Sequence, residues 1–168
     1  MSEIQKNSGQ NIPGIKKLEY VFQDEIKSCN IDVTDLSASL SLIDGSSWKK
    51  IYFSPGSVDH ELDKEVETTA GTRYDQTIRF REPKISNELS VLFRKMKGRP
   101  LVLRITDVNQ NIYLMGTDVV FVKTKAGGKT TGNFNGYNID FYCSLAHPLP
   151  FIQTYQSQSD EGGGGEPD

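Results

Sequence analysis

The chain contains few of the residues that build metal sites, disulfides and catalytic centres: of its 168 residues, two are cysteine and two are histidine. Cys29 and Cys143 belong to no CxxC or Cys/His cluster, so the sequence predicts neither a disulfide framework nor a zinc site. This sparing use of cysteine fits a reduced cytoplasmic compartment. The N-terminal segment lacks the apolar core of a secretion signal, and no apolar run approaches the roughly 18 residues that a membrane span needs. We therefore expect a protein that does not enter a membrane.

An excess of positive charge is also absent. Lysine and arginine together number 19, against 22 aspartates and glutamates, and the formal net charge is −3. The long-range field therefore does not draw the chain onto nucleic acid, and a nucleic-acid role requires a local basic patch. The length suits one ordinary domain. From composition we expect a flexible arm over residues 1–12, a single β-rich domain over 13–155 and an acidic, glycine-rich tail over 156–168.

Alternation of apolar and polar residues is the strongest pattern between the two ends. In one segment, Tyr74, Gln76, Ile78 and Phe80 share a face, and Arg73, Asp75, Thr77, Arg79 and Arg81 share the other. This period of two predicts a half-solvated antiparallel strand. The same pattern predicts further strands at Lys17–Phe22, Trp48–Phe53, Leu101–Thr106, Ile112–Met115, Val119–Val122 and Tyr137–Leu145. Residues 32–47 fit either a short helix or a loop, and both alternatives stay open.

A single amphipathic helix is predicted in the middle of the chain. Ser86 caps its beginning, and Gly98 and Pro100 end it. Its apolar residues recur at helical spacing and form one stripe that we expect to face a sheet: Leu89, Leu92, Phe93 and Met96. The chain is therefore predicted to be mainly β, an antiparallel β-sandwich or barrel with one packed amphipathic helix.

No residue stands out as catalytic. Cys143 lies on the apolar side of the last predicted strand, where a free cysteine fills the core rather than acting as a nucleophile. His60 and His147 lack a nucleophile-elbow context such as GxSxG. Nothing singles out two of the 22 carboxylates as an acid–base pair. We predict that the protein is not an enzyme and uses no metal or cofactor.

Two partial motifs fail on their spacing. Gly128-Lys129-Thr130 resembles the end of a phosphate-binding loop, but Lys123 occupies the position that requires the first glycine. Residues 123–136 are therefore predicted to form a mobile loop. The segment Asp107–Asn111 has the first ligand spacings of a calcium loop, but Asp118 stands where a bidentate glutamate is required. A β-turn between two strands explains the segment better.

Charged residues form two groups of opposite sign that we predict to be inter-subunit contacts. In the first, alternate positions of one strand or ribbon would put five carboxylates on one face: Asp59, Glu61, Asp63, Glu65 and Glu67. Such a row can bind cations, but Lys64 in the same run favours a solvated face or a contact with a basic partner. The second group lies in the predicted loop and contains Lys123, Lys125 and Lys129. We expect it to meet the acidic row on an adjacent copy, in a contact that weakens as salt screens the charges.

A single-stranded nucleic-acid-binding module is the first alternative interpretation, and a small carbohydrate- or ligand-binding, lectin-like sandwich is a more distant one. Basic residues concentrate around the predicted helix and loop, at Arg94, Lys95, Lys97, Arg99, Arg104 and the three loop lysines. Aromatic residues accompany them at Tyr74, Phe80, Tyr113 and Phe121. This combination suggests an OB-like barrel that stacks bases on aromatic rings. Against it, these aromatic residues fall on faces that the core requires.

Several segments taken together resemble a known class of protein. They are IPGIKKLEYVF, WKKIYFSPGS, GTRYDQTIRFREPK, LFRKMKGRPLVLRITDVNQNIYLMGT and KTTGNFNGYNIDFYCSLAHPLPFI, and they span most of residues 12–152. In the order of these segments and in the kinds of residue they contain, they resemble the small tail, neck or ring structural proteins of tailed bacteriophages and related prophages, especially those of Bacteroides-type hosts. The shared features are an early proline-glycine strand, a D-x-N-x-x-x-Y-x-x-G hairpin and a glycine- and asparagine-rich loop before a last strand that ends in prolines.

The resemblance implies a β-sandwich or barrel-like subunit that assembles into a ring or tube around the DNA path. The implied partners are copies of itself and other virion structural proteins, with passive contact to DNA and none to a membrane. The implied location is the virion, in the tail, neck or head–tail connector, after synthesis in the bacterial host cytoplasm. The resemblance supplies no catalytic residues.

Overall fold

A computed structural model of the chain describes residues 14–53, 57–82, 86–131 and 134–152. The predicted arm (1–12) and tail (156–168) lie outside the described residues. The described residues form one α-helix, α1 (Asn87–Gly98), a short 3-10 turn at Gln23–Glu25 and eleven strands. The strands are β1 (Ile15–Phe22), β2 (Ile26–Asp32), β3 (Ser37–Leu42), β4 (Lys49–Ile51), β5 (Val58–Thr68), β6 (Gly71–Glu82), β7 (Leu101–Asp107), β8 (Ile112–Met115), β9 (Lys123–Thr131), β10 (Phe134–Leu145) and β11 (Phe151–Ile152).

The strands form two sheets that share one core. The first has seven strands in the order β2-β3-β11-β8-β7-β1-β4, and the second has four in the order β5-β6-β10-β9. Neighbouring strands are antiparallel except β3 and β11, which are parallel. Within the described residues neither sheet closes on itself, so the chain is a β-sandwich with one helix. The predicted mainly β fold is confirmed, and of the two predicted architectures the sandwich is the one that forms.

Period-two alternation builds the core between the sheets. On β6, Ile78 and Phe80 are buried while Arg79 and Arg81 are exposed. The buried side chains of both sheets meet in one cluster, whose largest fully buried members include Leu18, Ile78, Leu103, Ile105, Ile139 and Phe141. Removing this apolar surface from water, at about 25 cal/mol per Å², is what holds the two sheets together.

Helix α1 completes the core as predicted. The Ser86 side chain accepts a hydrogen bond from the Leu89 backbone N–H at 3.2 Å and satisfies one of the free donors at the start of the helix. Phe93 and Met96 are buried, and Leu89 and Leu92 pack against the same cluster half-buried. The predicted helix, its cap and its apolar stripe are therefore confirmed.

A second, smaller cluster lies on the other face of the seven-stranded sheet: Val21, Ala38, Val102 and Leu114. Partly buried residues of β2 and β3 join it, as does Trp48 beside β4. Residues of β2, at one edge of the sheet, and Trp48, beside β4 at the other edge, therefore pack against the same cluster. The Arg104 guanidinium stacks on the Trp48 ring at 4.5 Å and pairs with buried Glu19 at 2.7 Å.

Most of the predicted strands are present. The segments at Lys17–Phe22, Arg73–Arg81, Leu101–Thr106, Ile112–Met115 and Tyr137–Leu145 correspond to β1, β6, β7, β8 and β10, and Trp48–Phe53 shortens to β4. The open segment 32–47 contains β3 rather than a helix. Its apolar residues Ala38, Leu40 and Leu42 alternate with exposed or half-exposed serines, which is the strand period.

The predicted mobile loop at residues 123–136 is wrong. β9 and β10 run through most of it as an antiparallel hairpin. On the core side, Thr124 lies opposite Phe141 and Ala126 lies opposite Ile139. A strand is normally recognised in a sequence by large apolar residues at alternate positions. In β9 the inward positions hold small side chains, so the alternation was present but too weakly hydrophobic to indicate a strand.

The predicted strand Val119–Val122 is also wrong. Thr117 Oγ1 accepts hydrogen bonds from the backbone N–H groups of Val119 and Val120, at 3.1 and 2.8 Å. The chain turns here because these backbone N–H groups bond to a side-chain oxygen and are not available to pair with a neighbouring strand. Val122 alone keeps an isolated bridge to the start of β7.

Candidate assembly surface

The four-stranded sheet turns a polar face away from the core, and residues of both charged groups lie on it. Asp59 on β5 lies opposite Arg79 on β6. Arg79 in turn lies opposite Asp140 on β10, and Asp140 lies opposite Lys125 on β9. We call this row of directly opposite residues across the four strands a rung, and the sign of the charge alternates along it. Directly opposite side chains in such a row have Cβ atoms about 4.5–5.5 Å apart, so neighbouring opposite charges attract each other. The adjacent rung contains Glu61, Thr77, Tyr142 and Lys123.

The acidic residues of β5 do not form the single row that was predicted. A β-bulge that includes Asp63 interrupts the pairing of β5 with β6. The extra residue shifts the alternation by one, so Glu65 and Glu67 face away from the side that carries Asp59 and Glu61. The prediction of one continuous face is therefore wrong, because an inserted residue cannot be detected from alternation alone.

Asp63 itself belongs to the fold. Its backbone has a left-handed φ of 58°. Its N–H donates to Gln76 Oε1 and its Oδ1 accepts from Gln76 Nε2, both at 2.7 Å. The same Oδ1 accepts the Leu149 backbone N–H at 2.7 Å. Gln76 is fully buried among apolar residues, so Asp63 is the partner that satisfies its amide there.

The outer half of the β5–β6 hairpin projects beyond the core. From Lys64 to Arg73, a segment that we call the hairpin arm, every residue is exposed except half-buried Val66. Both faces of this two-stranded ribbon therefore meet solvent. Polar contacts inside it include Thr68 Oγ1, which donates to the Gly71 carbonyl at 2.6 Å. A two-stranded ribbon alone is marginally stable in water, so a surface that covers the arm would stabilise it.

A cleft of about 700 Å³ lies on the β9 side, at the same end of the sheet as the hairpin arm. β10 extends past the start of β9, because Lys123 at that start pairs with Tyr142 and leaves the following β10 residues without a β9 partner. The end of α1 and residues 119–122 form the other walls. Lys97 and Lys123 place positive charge on the lining, and Val119, Val120 and Tyr142 are exposed around it.

Helix α1 lies beside β9 and extends the basic character of this side. Arg94 and Lys97 line a second groove of about 520 Å³, whose opposite wall includes Gly127 and Gly128 of β9. The three lysines of the predicted loop, Lys123, Lys125 and Lys129, all belong to β9. The β9 side of the sheet is therefore basic, whereas β5 on the opposite side is acidic.

The residues considered for catalysis are separated in the structure. Cys143 is buried, and this burial raises the pKa of its thiol to about 12, so the thiol stays protonated at neutral pH. Cys29 and Cys143 are both free. His60 lies exposed on β5, and His147 Nδ1 is 2.7 Å from the Pro148 carbonyl oxygen. In the described part of the chain no group of three or more histidine, cysteine or acidic side chains is placed to hold a metal.

The residues considered for nucleic-acid binding are partly engaged elsewhere. Phe80 is buried in the core, and the Tyr113 hydroxyl is half-buried. One guanidinium nitrogen of Arg99 donates to both carboxylate oxygens of Asp24, at 2.6 Å each, and Arg104 pairs with Glu19. The basic residues of α1 remain exposed, at Arg94, Lys95 and Lys97. No described helix is long and apolar enough to cross a membrane.

Sequence reasoning missed Arg79 and Asp140 as members of the charged surface. Each belonged to a predicted strand, but no local signal shows that the two strands are neighbours. The hairpin arm was missed as well, although its run of polar residues with Thr68, Thr69 and Gly71 at the turn is a signal for an exposed hairpin. No protein-family model, no curated protein and no solved structure matches this chain.

Proposed function

We propose that this chain is a virion structural subunit of a tailed bacteriophage, made in the host cytoplasm. It assembles with copies of itself and with other structural proteins into a ring or tube of the tail, neck or head–tail connector. The observation that carries this proposal is the hairpin arm, a ribbon exposed on both faces at the edge of a sheet. Unpaired strand edges are templates for another chain, and a closed ring covers every such edge.

Ordering of the arm also argues for a partner. Fixing the backbone of each residue costs about 1–2 kcal/mol, and a ribbon that buries little apolar surface recovers little of that cost by itself. A neighbouring copy that packs on the arm supplies the missing burial. This is the behaviour of a subunit whose final structure depends on its assembly.

The charges of the sheet support the predicted contact between lysines and carboxylates of adjacent copies. Asp59 and Glu61 lie on one outer strand of the sheet, and Lys123 and Lys125 lie on the other. Individual surface ion pairs contribute little stability, but their arrangement sets which surfaces meet and in which orientation. Assembly is therefore expected to weaken as salt increases.

The assembly itself can be measured on purified protein. Light scattering over a range of concentrations should show a discrete multimer, and electron microscopy should show closed rings or stacked rings. A variant in which residues 64–73 are replaced by a two-residue turn should keep its circular dichroism spectrum and remain monomeric. A parent chain that stays monomeric at every concentration would contradict the proposal.

The proposal includes the absence of catalytic activity and of any cofactor. His60→Ala, His147→Ala and Cys143→Ala should change stability or assembly at most. A defined hydrolytic or transfer activity that is lost in His60→Ala or His147→Ala would contradict this part of the proposal.

Single-stranded nucleic-acid binding is the second candidate, favoured by the exposed basic residues Arg94, Lys95 and Lys97 beside β9. The same light-scattering measurement, repeated with an oligonucleotide, separates the two functions. A monomer that binds the oligonucleotide at submicromolar concentration, in a salt-dependent way, supports the second candidate. A multimer that forms without the oligonucleotide supports the first.

A further inference from the structure

The hairpin arm and the cleft lie at the same end of the four-stranded sheet, on opposite sides. The arm extends β5 and β6 beyond Tyr74, which pairs with Leu145 at the end of β10. The cleft is lined by residues 142–144 of that same end of β10. Because β5 and β9 are the outer strands, a second copy placed beside the first in the same orientation brings its arm to the level of the cleft.

One face of the arm is also complementary in charge to the cleft, whereas the other face carries Lys64 and Arg73. Glu65 and Glu67 lie on one face of the arm, and Lys97 and Lys123 line the cleft. The cleft offers apolar contact as well, since Val119 is 77% exposed beside it. Farther along the same contact between two copies, Asp59 on β5 of one copy would lie next to Lys125 on β9 of the other. The alternation of charge along the rung would then continue from copy to copy.

Contacts of two-fold symmetry do not have this match. A two-fold contact between two β5 edges places carboxylates against carboxylates, and one between two β9 sides places lysines against lysines. Like charges that lie directly opposite each other across strands are destabilising. A cleft also cannot fill the same cleft of another copy. The charges and the shape therefore both favour a head-to-tail contact.

We propose that copies of this chain join head to tail, with the hairpin arm of one copy seated in the cleft on the β9 side of the next. This inference rests on the proposed assembly function and names the two surfaces that it uses. β5 and β9 run in opposite directions within one sheet. Rotation about an axis parallel to the strands preserves each direction, so β5 of one copy lies antiparallel to β9 of its neighbour.

Charge reversal tests the contact. Glu65→Lys/Glu67→Lys makes the arm basic, and Lys97→Glu/Lys123→Glu makes the cleft acidic. Each variant alone places like charges at every seam, so the concentration for half-assembly in light scattering should rise about tenfold or more. The variant with all four changes restores opposite charges and should assemble like the parent, and a 1:1 mixture of the two double variants should assemble better than either alone. Asp35→Lys/Asp44→Lys, in loops of the other sheet, is the control and should behave as the parent.

Cross-linking tests the geometry independently. In a Cys29→Ser background, Thr69→Cys places a thiol at the tip of the arm and Val119→Cys places one beside the cleft. Mild oxidation of the assembled protein should give a ladder of covalent multimers, whereas Thr69→Cys combined with Ser39→Cys, a position exposed on β3, should not.

A parent chain that stays monomeric overturns the assembly function and this contact together. A parent that assembles, while the charge variants assemble equally well and no ladder forms, overturns the contact alone.

Discussion

The two faces of the four-stranded sheet are made by the same strands, yet they have different roles. One face holds the core, with Ile78, Phe80 and Phe141 packed against the other sheet. The other face carries charges of alternating sign in the rung that begins at Asp59 and ends at Lys125. Because successive residues of a strand point to opposite faces, the stability of the fold and the proposed assembly should be open to separate change, one residue apart.

The sharpest contrast between the faces is expected for two consecutive residues of β10. Phe141 is fully buried, so Phe141→Ala should lower the free energy of unfolding by about 3–5 kcal/mol through lost burial and the cavity it leaves. Tyr142 is 43% exposed on the other face, and Tyr142→Ala should change it by about 0.5 kcal/mol or less. Urea unfolding of both variants measures the difference. Equal losses would mean that the two faces are not divided as described.

The acidic strand β5 allows the same comparison between two aspartates. Asp63→Ala removes the carboxylate that accepts from the buried Gln76 Nε2 and from the Leu149 backbone N–H, and should cost about 1–3 kcal/mol of unfolding free energy. Asp59→Ala, on the exposed face, should cost about 0.5 kcal/mol or less while weakening assembly. Thermal unfolding and light scattering on both variants separate the two effects. If Asp59→Ala destabilises the fold as much as Asp63→Ala, then Asp59 contributes to the stability of the fold and the two aspartates do not have separate roles.

Cys143 gives the core face a pH dependence. Burial raises the pKa of its thiol from 9.0 to about 12, so the protonated form is favoured in the folded state. The part of the free energy of unfolding that depends on this protonated thiol is fully present below about pH 9, and it is lost as the pH rises toward 12. In that window the parent should lose up to about 1.4 kcal/mol per pH unit more than Cys143→Ala. Parallel slopes of unfolding free energy against pH for the two proteins would contradict this role of the thiol.

The smallest expected effect concerns the rung itself. Arg79 and Asp140 lie directly opposite each other on β6 and β10, and a double-mutant cycle with Arg79→Ala and Asp140→Ala should give a coupling of about 0.2–1 kcal/mol. The coupling should shrink in 1 M salt, where the Debye length is about 3 Å. A coupling that salt leaves unchanged would indicate a contact other than attraction between charges.

The sequence predicted the elements far better than the surface they form. Alternation around Ile78 identified β6 and both of its faces, and the spacing from Leu89 to Met96 identified α1 and its buried stripe. The failures have local causes. Thr124 and Ala126 are too small to mark β9 as a strand, and the hydroxyl of Thr117 turns a β-branched run that otherwise has strong strand propensity.

Local periodicity therefore determined which side chains are buried, because backbone geometry fixes the direction of each residue within its own strand or helix. It also determined that Cys143 is a core residue and that α1 packs on a sheet. Only the tertiary structure decided that β5 and β9 are the outer strands of one sheet, that a bulge at Asp63 divides the acidic row, and that the hairpin arm and the cleft lie at the same end. Strand order and register are set by how distant segments bury their apolar faces together, and residues far apart in the chain carry no local signal of that choice.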